Sequence, residues 1–228
     1  MIKFDCLTLF PKMVGSILSD SILKRAIENK LLEVNFIDFR SFSKMKHKNV
    51  DDSPYGGGAG MVLMAPPIYE AIHSINDNDK AFKILLTPQG EKYTEKTAKM
   101  LASKEHIILI CGHYEGFDER IRSFADMELS IGDYVLTGGE IAAMAITDAI
   151  IRLIPGVLKK PEATQKESFS KVDKKAFLEY PQYTRPENFQ NLSVPRILLS
   201  GNHKKITLWQ KYQAQKITKK NRPDLLKK

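Results

Sequence analysis

The sequence predicts an α/β protein in which a parallel sheet carries helices on both faces and is followed by a small all-helical region. Stretches with an apolar residue at every second position alternate with stretches in which apolar residues recur about every 3.6 positions. Such alternation is typical of strands and helices that follow one another in βα units. Beyond about residue 172 the strand-like alternation ends and basic residues accumulate.

The first predicted unit is strand, helix, strand. Ile2, Phe4 and Cys6 alternate as in a strand, and residues 32–36 do so again. Between them, Pro11 begins a segment that we expect to be helical, because its apolar residues share one helical face. These residues are Met13, Val14, Ile17, Leu18 and Ile22.

Two further strands are predicted as buried and parallel. Residues 82–86 and 107–111 are nearly continuous apolar runs, and a helical stretch lies between them at about residues 91–104. After Gly139, a segment rich in alanine and isoleucine predicts a helix to Arg152, which Pro155 and Gly156 would end.

We predict three regions along the chain. Residues 1–158 form the α/β domain. Residues 159–171 are polar and charged without a clear period, which is typical of a flexible linker. Residues 172–228 form a small basic helical domain, with helices at about 174–179 and 203–218.

The basic charge is concentrated at one end of the chain. The net charge is +8, and the last 28 residues alone have that balance, because eight lysines and Arg222 face only Asp224. The lysines are 204, 205, 211, 216, 219, 220, 227 and 228. A neutral body with a basic end favours a polyanionic partner such as RNA. A merely solvated lysine-rich face is the alternative.

The two cysteines, Cys6 and Cys111, lie far apart in strand-like runs. This spacing excludes a disulfide framework and a zinc motif, and it predicts two buried core residues. The amino terminus has no targeting pattern and no apolar run approaches the length of a membrane span. We therefore expect a soluble cytoplasmic protein with no membrane partner and no set of metal ligands.

Three glycine-rich blocks with acidic residues suggest a cofactor site. They are Cys111-Gly-His-Tyr-Glu-Gly-Phe-Asp-Glu-Arg120, Ser130-Ile-Gly-Asp-Tyr-Val-Leu-Thr-Gly-Gly-Glu140 and Arg152-Leu-Ile-Pro-Gly-Val157. Glycines let the backbone approach a ligand closely, and ligand loops of α/β proteins follow the carboxyl ends of strands. Glu115, Asp133 and Glu140 add carboxylates that would suit a cationic ligand. A single block of this kind is usually an ordinary turn.

These blocks resemble, nearly residue for residue, the bacterial tRNA (guanine-37-N1)-methyltransferases of the SPOUT superfamily. Five more segments resemble that family, so the similarity runs from the first strand into the last helix. They are Phe4-Asp-Cys-Leu-Thr-Leu-Phe-Pro11, Asp51-Asp-Ser-Pro-Tyr-Gly-Gly-Gly-Ala-Gly-Met61, Leu86-Thr-Pro-Gln-Gly90, Tyr183-Thr-Arg-Pro186 and Leu198-Leu-Ser-Gly-Asn-His203. The resemblance implies a trefoil-knotted cofactor site at the end of the α/β domain and a homodimer. It also implies transfer of a methyl group from S-adenosylmethionine to N1 of the guanine 3′ of a tRNA anticodon.

The resemblance also implies roles for individual residues. The residues that would hold S-adenosylmethionine are Leu86, Gly112, Ile131, Gly132, Asp133, Tyr134, Val135, Leu136, Gly138 and Gly139. Glu115 would lie near the cofactor, where it would assist catalysis or orient a magnesium ion.

Arg152 and Glu167 match the family's catalytic positions. Guanine N1 carries a hydrogen and its lone pair is delocalised toward O6, so methylation needs a base at N1 and a cation at O6. The family ordinarily has Asp-Ser-Phe where this chain has Glu167-Ser-Phe169. Both acids have similar intrinsic pKa values, but the glutamate is one methylene longer, so its role requires that the surrounding segment adjusts. Ala142 replaces a proline of the family, which we expect to be tolerated.

Two alternatives stay open at this point. The first is another SPOUT methyltransferase that acts on a different RNA, although such a protein need not carry Arg152 together with Glu167-Ser-Phe169. The second is a catalytically weak tRNA-binding homologue, which the change at Glu167 allows. A protein of that second kind would be expected to have lost the features of its cofactor loops, and these are intact here.

Overall fold

The chain folds into two compact units, Met1–Lys159 and Lys160–Lys228. A computed structural model describes residues 1–160, 164, 167–172 and 175–227.

A five-stranded sheet forms the centre of the first unit. In chain order its strands are β1 (Ile2–Leu7), β2 (Leu32–Ile37), β5 (Phe82–Lys92), β6 (His106–Cys111) and β7 (Met127–Ser130). The spatial order is β2-β1-β6-β5-β7, and every neighbouring pair is parallel. The short strands β3 (Asp51–Asp52) and β4 (Val62–Leu63) form a separate antiparallel pair. The predicted parallel sheet is thus confirmed.

Helices cover both faces of this sheet. One hydrophobic core joins alternate strand residues to α1 (Pro11–Gly15), α2 (Ser21–Glu28), α4 (Glu95–Leu101) and α5 (Glu140–Ile151). A second core joins the opposite strand residues to α3 (Ala65–His73). The two cores take alternate residues because successive side chains of a strand point to opposite faces. Helices on both faces were predicted, and this is confirmed.

The segment after β1 differs from the prediction of one continuous helix. A 3₁₀ turn at Ser16–Ser19 separates α1 from α2, and Asp20 is extended with φ −139°. Ser21 then has φ 60°, in the left-handed region that L-residues seldom adopt. This break was not foreseen because the apolar spacing of residues 13–22 continues across it.

The second unit contains strands as well as helices. β8 (Ser170–Val172) pairs antiparallel with β9 (Lys175–Phe177), and β10 (Asn188–Phe189) pairs antiparallel with β11 (Leu192–Ser193). Helices α6 (Arg196–Leu199) and α7 (His203–Asn221) follow. The expectation of an all-helical region is therefore wrong, because strands of two or three residues are too short to show a period in the sequence.

Three detailed predictions concern this part of the chain. The helix expected at 174–179 is contradicted, since residues 175–177 form β9; residue 174 lies outside the described residues. A linker was expected at 159–171, and its residues 161–163, 165 and 166 also lie outside the described residues. The last two residues of the expected linker, 170 and 171, belong to β8. The helix expected at 203–218 is present as α7, which continues to Asn221.

Candidate cofactor site

A cavity of about 360 Å³ opens at the carboxyl ends of β5, β6 and β7. Its volume lies in the range of pockets that hold small molecules and cofactors. Three loops form its walls, and they follow these three strands. The lining residues are Leu86–Gln89, Gly112–Phe117, Glu119, Arg122, Leu129–Gly132, Tyr134–Gly139 and Ala142.

The loop after Leu86 exists because β5 bulges away from β7. Leu86 and Glu91 both pair with Leu129, so residues 87–90 leave the ladder, and residues 87–89 form part of the cavity wall. Gly90 allows the strand to return, because a Cβ there would collide with backbone atoms of Glu128 and Leu129.

The Gly138-Gly139 turn passes across the end of β6. The Gly139 N–H donates to the Gly112 carbonyl oxygen at 2.8 Å. A Cβ on Gly139 would lie 2.8 Å from Cys111 Cα and 2.9 Å from Gly112 N. Any side chain at position 139 would collide with this backbone, so the turn just before α5 requires glycine there.

Nine of the ten residues predicted to hold the cofactor line this cavity, and their role in binding stays a prediction. The tenth, Asp133, is not among the lining residues. Its exposed carboxylate forms an ion pair with Lys92, with an Nζ–Oδ2 distance of 3.0 Å. In this structure Asp133 therefore offers a carboxylate to Lys92 and not to the cavity.

Glu115 lines the cavity and connects it to the glycine-rich loop at residues 54–60. The Glu115 N–H donates to the Met61 carbonyl oxygen at 2.9 Å. Gly60 has φ +88°, and a Cβ there would collide with the Glu115 side chain. The glycine-rich loop thus packs directly against this carboxylate, a contact that the sequence did not predict.

Arg122 lines the cavity as well, and it was not a predicted site residue. It pairs with Glu128 and Glu119, and it donates to Gln89 of the loop after β5. The hydrogen bond that Arg122 donates to Glu128 is the main cause that raises the pKa of Arg122. Arg122 lies just past the end of the first glycine-rich block, so no motif indicated it.

The two predicted catalytic residues lie in different units. Arg152 is the C-cap of α5 in the first unit and is half-buried. Glu167 belongs to the second unit, is half-buried, and its carbonyl oxygen accepts from the Ser170 N–H at 3.1 Å. Their catalytic roles stay predictions.

Ala142 lies in the first turn of α5, where the first helical hydrogen bond is donated by Ala143 to Gly139. The Ala142 N–H is not needed for the helix. Because proline is accommodated in the first turn for the same reason, alanine and proline are both compatible with this position.

Cys6 and Cys111 are buried free thiols, as predicted, with their sulfurs 3.6 Å apart on neighbouring strands. The hydrogen bond with Cys6, together with burial, raises the pKa of the Cys111 thiol well above its ordinary value. The Cys111 thiol is therefore a protonated core side chain.

The described residues contain neither a cluster of metal ligands nor a helix that could span a membrane. No group of three or more His, Cys, Asp and Glu side chains in that part of the chain could hold a metal ion. Within the same residues, none of the helices combines the length and the apolar character that a membrane crossing requires.

A parallel α/β sheet with a glycine-lined cavity at its carboxyl edge defines the class of α/β proteins that bind a nucleotide-like cofactor. The family is given by sequence comparison. The model of the family described as tRNA (Guanine-1)-methyltransferase TrmD matches residues 2–228. The chain belongs to this family, as predicted.

Curated relatives agree with this assignment. A tRNA (guanine-N(1)-)-methyltransferase of Carboxydothermus hydrogenoformans is 54% identical over 226 residues, covering 99% of this chain and 87% of the relative. Proteins with the same name from Caldanaerobacter subterraneus subsp. tengcongensis and Geobacillus kaustophilus are each 52% identical, over 99% and 98% of this chain and 92% and 91% of theirs. The predicted enzyme class, a tRNA (guanine-N1)-methyltransferase, is thereby confirmed.

Proposed function

We propose that this chain transfers the methyl group of S-adenosylmethionine to N1 of guanine 37 in tRNA, and that the cavity at the carboxyl edge of the sheet holds the methyl donor. The observation that carries the proposal is the glycine-lined cavity in a chain that matches the family over residues 2–228. S-adenosylmethionine, when bound, supplies an activated methyl group on a sulfonium.

The cavity fits this cofactor. Gly112, Gly138 and Gly139 bring backbone groups to its wall, where they are available to the adenine and ribose. Tyr134 and Leu136 supply apolar lining, and Leu86 closes the side formed by β5. The lining therefore combines apolar side chains with a few polar backbone groups, as is usual in cofactor pockets.

Arg152 is the residue that we assign to guanine O6. As the N1 lone pair attacks the methyl group, negative charge grows on O6, and a fixed cation there lowers the barrier. Arginine suits this position because its guanidinium donates hydrogen bonds and keeps its charge throughout the reaction.

Glu167 is the residue that we assign as the base for N1–H. Loss of this proton frees the lone pair of N1. A carboxylate positioned within hydrogen-bonding distance accepts the proton in the transition state. Of the family's Asp-Ser-Phe triplet, serine and phenylalanine are retained as Ser168 and Phe169. Glu167 is one methylene longer than the aspartate that is usual in the family, so its role requires that the surrounding segment adjusts.

The proposed reaction uses Arg152 and Glu167 and has no step that requires a metal ion. Magnesium, if it takes part as the resemblance allows, would find two carboxylates among the lining residues, Glu115 and Glu119. Glu115 keeps its proposed place near the cofactor, and its contact with Gly60 supports a role in holding the glycine-rich loop beside the cavity.

We assign tRNA binding to the basic second region and cofactor binding to residues 1–158. A trefoil knot, a homodimer and a cytoplasmic location belong to the same proposal. Exposed apolar side chains beside the cavity support the homodimer, in particular Val135, which is 84% exposed, and Tyr134 at 54%.

The test is methyl transfer from tritiated S-adenosylmethionine to unmodified tRNA transcripts. A transcript with guanine 37 should accept the label at N1, which nucleoside mass spectrometry locates, and the matched transcript with adenine 37 should not. Label at another site would identify a different RNA methyltransferase. Tight tRNA binding without any label would identify a binding protein without activity.

A further inference from the structure

A buried carboxylate lies directly behind the cofactor cavity. Glu140, the first residue of α5, is 2% exposed, although it carries an ionisable side chain. Its Oε1 accepts a hydrogen bond of 2.8 Å from the hydroxyl of Thr8, which is fully buried just beyond the end of β1. Carboxylates are seldom buried without a partner, so this pairing is a built feature of the fold.

Both hydrogen-bonding capacities of the Thr8 hydroxyl are used. The hydroxyl donates to Glu140 and accepts the Phe10 N–H at 2.9 Å. A carboxylate in the first turn of α5 also faces the positive end of the helix dipole. Thr8 and the helix terminus together hold the Glu140 side chain in one place.

The other oxygen of Glu140 contacts the cofactor turn. A Cβ on Gly138 would collide with Glu140 Oε2, and it would lie 3.0 Å from His113 Cδ2. Gly138 and Gly139 line the cavity, and Gly139 is hydrogen-bonded to Gly112. The carboxylate therefore fills the space beneath the turn and links it, through Thr8, to the centre of the sheet.

We propose that Glu140 and Thr8 are positioning residues for the methyl donor: through their buried hydrogen bond they hold the Gly138-Gly139 turn in the shape that binds S-adenosylmethionine. Neither residue lines the cavity. This inference rests on the proposed function, because it assumes that the cavity holds that cofactor.

Thr8→Val tests the pair with the smallest change of shape. Loss of the hydroxyl leaves a buried carboxylate oxygen without its donor, so the turn loses its support. We expect the Kd of S-adenosylmethionine, measured by calorimetry on the full chain, to rise about tenfold, which corresponds to the loss of one such hydrogen bond. Thr8→Ser retains the hydroxyl and should restore the Kd to within about twofold.

The turn should contact the donor equally before and during the reaction. The single-turnover rate at saturating S-adenosylmethionine should therefore change less than about twofold, since only uniform binding is lost. S-adenosylhomocysteine, which lacks the methyl group and the positive charge, should lose affinity by the same factor. Equal losses indicate positioning, whereas loss for the charged donor alone would indicate attraction of its charge and overturn the proposal.

Thr147→Val is the matched control. Thr147 is also buried on α5 but lies two turns beyond Glu140. Thr147→Val makes the same exchange of a buried threonine away from the turn, so it should leave both Kd values unchanged. If Thr147→Val weakens cofactor binding as much as Thr8→Val, the effect is general stability and the proposal is wrong.

Glu140→Gln provides a second variant with the same shape and no charge; because its amide oxygen still accepts the hydrogen bond from Thr8, the Kd of either ligand should rise less than in Thr8→Val. If it does not fold, Thr8→Val and Thr8→Ser decide. An unmodified chain that binds neither ligand would overturn the proposed function and this inference with it. An unmodified chain that binds both, with Thr8→Val binding them equally well, would overturn this inference alone.

Discussion

The two units of the chain bury their side chains to very different degrees. In the first unit, two hydrophobic cores enclose the sheet, and fully buried residues such as Phe4 and Ile108 occur on both of its faces. In the second unit, Thr218 is the one buried residue among those that the structure describes. A rigid core suits the precise holding of a cofactor, whereas an exposed surface suits contact with a large partner.

The two units also differ in charge. The basic excess lies in the last 28 residues, mostly on α7. The methyl donor needs a shaped cavity, and tRNA needs an extended positive surface, so the proposed function assigns the first task to the core and the second to the basic surface. The predictions that follow test this division.

The largest effect is expected at Glu167. Glu167→Gln keeps the shape of the side chain but cannot accept the proton, so the single-turnover rate should fall by about 10² to 10⁴. Affinity for tRNA, measured by filter binding, should stay within a few-fold. A nearly normal rate would place the base elsewhere.

Glu167→Asp sharpens that result. If the segment around Glu167 has adapted to the longer side chain, the residue that is usual in the family should be slower here, because the carboxylate would retract by about one methylene. A faster Glu167→Asp variant would contradict an adaptation.

Arg152→Ala should lower turnover by about 10² while the Kd of S-adenosylmethionine stays unchanged. The reason is that the guanidinium interacts most strongly with O6 as charge develops in the transition state. Rapid-quench kinetics and calorimetry together measure both quantities. Equal losses of rate and cofactor affinity would show that Arg152 supports the fold instead.

Gly139→Ala tests a close backbone approach in the wall of the cavity. Its Cβ would lie 2.8 Å from Cys111 Cα, so the turn must move, and cofactor affinity should fall by at least about tenfold. Gly15→Ala is the matched control, because Gly15 has φ −64° and a Cβ there meets only the Phe36 ring at 3.4 Å. Affinity for tRNA should be unaffected in both variants.

The smaller effect is expected in the second unit. Replacing four lysines by alanine should raise the KM for tRNA and flatten its dependence on salt, by about 0.7 to 0.9 in the log-log slope for each lost phosphate contact. Affinity for S-adenosylmethionine should not change. The lysines are Lys204, Lys205, Lys219 and Lys220.

The matched control removes Lys24 and Lys80 of the first unit, both of which are exposed. These changes should leave the slope as it is. If the four-lysine variant also keeps the salt dependence of the unmodified chain, these lysines contact only solvent. In that case tRNA binds to another surface.

The sequence predicted most of the first unit because its strands and helices are long enough to show a period. Ile107–Cys111 and the helix after Gly139 are examples. It did not predict β8 to β11, which have two or three residues each. It also missed the break at Asp20 and Ser21, because local backbone conformation left no mark in the apolar spacing.

The candidate site was predictable to the extent that it lies in motifs. The glycine-rich loops indicated the cavity lining, but the hydrogen bond of Arg122 to Gln89 and that of Thr8 to Glu140 join residues 33 and 132 positions apart in sequence. Such contacts are set by the order of strands in the sheet. No local pattern encodes that order, so these contacts required the structure.

Hydrogen–deuterium exchange of the full chain, with and without each ligand, tests the division of labour most directly. S-adenosylmethionine should slow exchange in the loops at 86–90, 112–116 and 131–139, and tRNA should slow it in α7. Cofactor protection confined to the second unit, or tRNA protection that spares α7, would contradict the account.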